Sequence, residues 1–98
     1  MILIGIKGTI YDIAQTPIDS GGEGEIRRVR SEQGKVAKIY RSGVLTEELI
    51  DKLRIMIDYP PGEEAMSQIA WPLDLVADDS GNYRGFVMPE LSINAVIG

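Results

Sequence analysis

Neither cysteine nor histidine occurs among the 98 residues. Without cysteine there can be no disulfide and no thiolate metal site, which fits a cytoplasmic setting. Without histidine, a Ser-His-Asp triad and most zinc chemistry are excluded. Aromatic residues are few (one Trp, four Tyr and one Phe), and an acidic net charge of −5 accompanies them. Both features argue against a nucleic-acid-binding face. No apolar run approaches the ~20 residues of a membrane span. Met1-Ile2-Leu3-Ile4-Gly5-Ile6 is apolar but short, and it lacks the basic leader of a secretory signal, so it reads as an edge or pairing strand. The five prolines are dispersed, and there is no internal repeat, linker or disorder signature.

The composition, 44% hydrophobic and 26% charged, is that of one soluble globular domain with room for a core but not for two catalytic lobes. Charge is unevenly spread. Arg27, Arg28, Arg30, Lys35, Lys38 and Arg41 face only Glu32 between residues 26 and 41, and the flanks are acidic. Solvated strand positions are the expectation for Arg27, Arg28 and Arg30, with anion contact as the alternative.

Along the chain, residues 2–6 and 9–14 read as short strands broken by Lys7-Gly8. Ile18-Asp19-Ser20-Gly21-Gly22-Glu23-Gly24-Glu25-Ile26 is a glycine-rich loop leading into a strand that ends near Arg30. Ser31-Glu32-Gln33-Gly34 reads as a hairpin loop, and Val36–Tyr40 returns antiparallel. Thr46 suits a helix N-cap, with Glu47 and Glu48 in the first turn. Leu49, Ile50, Leu53, Met56 and Ile57 form one apolar stripe, and Pro60-Pro61 stops the helix at Tyr59. Ile55 lies nearly opposite the stripe. A short second helix is expected within Gly62–Ile69. Leu73–Ala77 and Tyr83–Met88 read as strands joined by the Asp78-Asp79-Ser80-Gly81-Asn82 turn, with Gly85 a bulge or close-approach point. Pro89 ends that strand, and Leu91–Gly98 reads as a tail that has been cut.

Glycines let a backbone approach phosphates closely, and a lysine on a neighbouring strand can reach the same phosphates. Lys38, in the apolar Val36-Ala37-Lys38 segment, follows Gly24 by fourteen residues, so the pair points to nucleotide binding. Lys35 is the fallback, although it abuts the hairpin. The bland alternative is a glycine-rich hairpin with no ligand.

The order and residues of these elements resemble the small N-terminal lobe of the protein-kinase fold, over about residues 9–95, with residues 1–8 an additional strand. In that family a G-x-G-x-x-G-x-V loop covers the ATP phosphates, and a strand lysine contacts them and pairs with a helix glutamate. Here Asp19 stands at the first glycine position, Gly21 at the second, Gly24 at the third and Ile26 at the valine, with Gly22 extra. The resemblance implies an α+β domain, a twisted antiparallel sheet of about five strands with one packed helix. It implies that Lys38 is the phosphate lysine, that the loop from Ile18 through Ser20 and Glu23 to Ile26 covers ATP, and that Val36 lies above the adenine. Glu48 would be the helix glutamate, with Glu47 and Asp51 behind it; a surface pair of Glu48 with Lys52 is the alternative. Met88 would limit access behind the adenine, the Pro89 carbonyl would accept from the adenine amino group, Leu91 would offer its own N–H and carbonyl, and Glu90 completes this nucleotide-binding segment, which connects to a second lobe.

The Trp71-Pro72 and Gly85–Pro89 segments look like an atypical bacterial branch of serine/threonine kinases, found with DNA-binding helical modules or with phosphatase and von Willebrand-type partners. The sequence has no H-R-D and no D-F-G, so the catalytic aspartate and the metal ligands belong to a second lobe. Mg2+ would accompany ATP only with that lobe. The expectation is therefore a truncated, inactive ATP-binding lobe, contacting no nucleic acid or membrane. Its exposed helix or sheet face would await the missing lobe, a partner protein or a second copy. The rival expectation is a standalone non-catalytic nucleotide sensor or interaction module.

Overall fold

The computed structural model describes residues 1–66 and 68–91; the tail read beyond Leu91 lies outside them. The elements in order are β1 (Ile2–Gly5), β2 (Ile10–Asp12), β3 (Asp19–Ser20), β4 (Gly24–Arg28), β5 (Lys35–Tyr40), α1 (Glu47–Asp58), α2 (Glu63–Met66), β6 (Asp74–Ala77) and β7 (Tyr83–Pro89). All the strands join one antiparallel sheet in the order β2-β1-β6-β7-β5-β4-β3. Among the described residues the sheet has seven strands, not the expected five or so. The N-terminal hairpin β1-β2 joins the main sheet through β6, and Asp19–Ser20 is a strand in its own right. Past the end of β2, Ile13 bridges to Val29. Beside that bridge the Ala14 amide donates to the Arg28 carbonyl at 2.9 Å and the Arg30 amide to Asp12 at 2.6 Å. The sheet therefore curls until its first hairpin meets the end of β4.

Curling gives the sheet an inner and an outer face, and strand alternation sorts the residues between them. Leu3, Tyr11, Ile13, Val29, Ala37, Ile39, Val76 and Val87 fill the inner face as one buried cluster. Asp74 lies among them, 2% exposed. Its two oxygens accept from the Tyr11 hydroxyl at 2.8 Å and the Ile6 amide at 3.1 Å, which ties the N-terminal hairpin to β6. On the outer face, Leu53 and Ile57 of α1 pack on Leu75 and Phe86. Burying such a side chain contributes about 1.5–3 kcal/mol.

Helix α1 forms as its sequence pattern dictates. The Thr46 hydroxyl accepts from the Leu49 amide at 3.2 Å, and Ile55, opposite the stripe, is exposed. The indole of Trp71 donates to the Met56 carbonyl at 2.7 Å and ties the following loop to the helix. Gly85 is a close-approach point: a Cβ there would lie 1.8 Å from the Lys38 carbonyl oxygen. The register shift falls on the facing strand, between Val76 and Ala77. Arg27 differs from a solvated strand position. Its side chain is 15% exposed, donates to the carbonyls of Ala14 and Gln15, and pairs with Glu25 at 2.9 Å.

Candidate functional site: a cleft beside the helix

Helix α1 covers only the β6-β7 part of the outer face, and a cleft of about 740 Å3 opens where the sheet continues toward β3. That volume lies within the range of small-molecule sites. Register explains how the cleft is assembled. Arg28, Val36 and Met88 are directly opposite one another on β4, β5 and β7, and Asp19 is opposite Ile26 on β3 and β4. Ile18, Ile26, Val36, Met88 and Leu91 supply the apolar wall, with Asp19, Pro89 and Glu90 at its sides. These eight residues were all read as binding residues from the sequence.

Arg28 and Ala70 also line the cleft and were missed as site residues. Arg28 is two positions from Ile26 in the same strand, so strand alternation could have placed it on the same face. Ala70 arrives through the loop before Trp71-Pro72 and left no local signal. Arg28 Nη1 lies 2.7 and 2.6 Å from the two carboxylate oxygens of Glu90. This pair reaches from β4 to the segment after β7, across the intervening β5.

The glycine-rich turn closes the β3-β4 hairpin. The Gly21 amide donates to the Gly24 carbonyl at 2.9 Å. Arg41, beyond the end of β5, holds the turn from the neighbouring strand. Its guanidinium donates to the Gly21 carbonyl at 3.0 Å and the Ser20 hydroxyl at 3.1 Å, and its amide donates to the Glu23 carbonyl at 2.8 Å. Gly24 is sterically required, because a Cβ there would lie 2.2 Å from the Ile39 carbonyl oxygen. Gly21 and Gly22 are not: neither has a positive φ, and a Cβ on either would meet nothing within 4 Å.

Lys38 is directly opposite Ile26 on one side and Phe86 on the other, on the outer face with Val36 and Tyr40. Its ammonium lies 5.0 Å from the centroid of the Tyr40 ring and 3.7 Å from a carboxylate oxygen of Glu23. Burial, and secondarily the Glu23 carboxylate, push the Tyr40 hydroxyl above its ordinary pKa. The helix carboxylates do not take the Lys38 position. Glu47 and Glu48 are exposed in the first turn of α1 and Asp51 in the next, all well off the stripe that faces the sheet. No ion pair joins Glu48 to Lys38 or Lys52 among the described residues. Lys35, the fallback, is engaged by Glu32 at 2.6 Å in the hairpin.

Among the described residues, no cluster of acidic side chains is suited to hold a metal ion, and no helix is long and apolar enough to cross a membrane. In comparisons with protein-family models, curated proteins and solved structures, nothing matches this chain.

Proposed function

We propose that this domain binds a purine nucleotide triphosphate, ATP in the first instance, in the manner of a protein-kinase N-terminal lobe. The base would lie in the apolar cleft, and the phosphates under the glycine turn within reach of Lys38. One observation carries the reading: residues as far apart in sequence as Ile18 and Leu91 converge on one cleft. The loop beside it also has two glycines that the fold does not need. A glycine without an internal steric reason leaves room for a neighbour from outside the chain. The exposed isoleucines of the N-terminal hairpin lie apart from this cleft and play no part in the reading.

The proposal stops at binding. Phosphoryl transfer requires an oriented nucleophile and a bound metal, and the sequence has neither H-R-D nor D-F-G. A non-catalytic nucleotide sensor is favoured over a catalytic lobe by the Lys38–Glu23 pair, since it engages the lysine with a loop carboxylate instead of a helix carboxylate. Calorimetric titration with Mg-ATP tests the binding reading. The wild type is expected to bind in the micromolar to millimolar range. Lys38→Ala should weaken binding about 10- to 100-fold, the loss expected for one charge-assisted contact. Indistinguishable affinities for the two proteins would remove Lys38 from the site.

A further inference from the structure

Arg28 in the cleft wall, Lys38 on the adjoining β5 and Arg41 just beyond its end already have partners within the fold. Arg28 is held by Glu90 through two contacts of 2.6 and 2.7 Å, and Lys38 faces Glu23 at 3.7 Å. Asp19 adds a further carboxylate to the wall. Arg41 is engaged by the glycine turn itself. Arg28 and Lys38 are therefore open to an incoming polyphosphate only in exchange for a carboxylate.

The two pairs differ in how readily they yield. Arg28–Glu90 is the shorter pair, with one guanidinium nitrogen within 2.7 Å of both carboxylate oxygens. Lys38–Glu23 is long, and the Glu23 side chain is 70% exposed, so solvent screens it and little is lost on parting. We propose that Glu23 sets the phosphate preference of this cleft: its carboxylate occupies Lys38 in the free protein, and the phosphate chain must displace it. Glu23 thus competes with the ligand's phosphates for Lys38 and is not a contact to them. This rests on the nucleotide reading above.

The chemistry gives a graded expectation. Removing the Glu23 charge frees Lys38 and removes a like charge from beside the phosphates, so the benefit should grow with phosphate number. A screened surface pair and the accompanying repulsion correspond to a factor of about 3–10 in affinity. Glu23→Gln should tighten ATP binding by about that factor, ADP and AMP progressively less, and adenosine by less than twofold. The gain should shrink at high salt and be largely lost in the Lys38→Ala background. Glu23 lies on an exposed turn, and a thermal melt of the variant checks that the fold is kept.

Titrations of ATP and adenosine into wild type, Glu23→Gln, Lys38→Ala and the double variant decide the matter. A gain for ATP alone that depends on Lys38 supports the proposal. No gain, an equal gain for adenosine, or an undiminished gain in the Lys38→Ala background overturns it while leaving the nucleotide reading intact. Wild type that binds neither ligand overturns both.

Discussion

Gly21, Gly22 and Gly24 lie close together in sequence, yet only Gly24 answers a need of the fold. Its missing Cβ lets β4 approach the Ile39 carbonyl, whereas Gly21 and Gly22 face open space. The three glycines should therefore separate in experiment. Gly24→Ala should cost at least ~2 kcal/mol, because a strand backbone has to move. Gly21→Ala should leave stability within about 0.5 kcal/mol of wild type while weakening Mg-ATP binding. Denaturant unfolding and titration on the same samples check both; equal destabilisation would make Gly21 as structural as Gly24. The sequence marked this loop correctly as unusual, but glycine spacing alone could not tell a steric glycine from a spare one. That distinction depends on which backbone lies across from each.

At the scale of elements, α1 was the most legible part of the chain. Its Thr46 cap, apolar stripe and proline stop are local signals, and the structure follows them over Glu47–Asp58. Thr46→Ala removes the hydroxyl that accepts from Leu49 and should cost about 1 kcal/mol. In a domain of this size that corresponds to a fall of about 4–8 °C in Tm, measurable by circular dichroism. The strand count was less legible. Asp19–Ser20 is too short to show alternation, and the extra hairpin becomes part of the sheet only through its pairing with β6. The helix face also limited the site assignment. The resemblance makes Glu48 the lysine's helix partner, yet its angular position, well off the apolar stripe, turns it to solvent. Glu23, from the loop, takes that place.

For the molecule as a whole, the Tyr11–Asp74 contact joins the N-terminal hairpin to the sheet across 63 positions of sequence. Burial first, and then the hydrogen bond to Asp74, raise the Tyr11 hydroxyl pKa well above its ordinary value. The folded state thus holds this proton more tightly than the unfolded chain. The associated stability is fully present below about pH 10, the unfolded tyrosine value, and is lost as pH rises from there toward the folded value. Tyr11→Phe should lower stability at pH 7 by about 1–3 kcal/mol, since it leaves a buried carboxylate oxygen short of a partner. It should also flatten the decline in stability above pH 10. Unfolding curves for both proteins at pH 7 and pH 10–11 test this, and parallel declines would place the titration elsewhere. Alternation, caps and turn residues by themselves determined the position of the main helix and the antiparallel hairpins, because these depend on neighbours in sequence; the α+β class and most of the residues that line the cleft were expected only through the resemblance to a kinase N-terminal lobe. Only the tertiary structure decided that the sheet curls with seven strands, that Ala70 joins the cleft, and that Glu23 faces Lys38. Those outcomes depend on strand register and on charges brought together from distant segments, which no local pattern encodes.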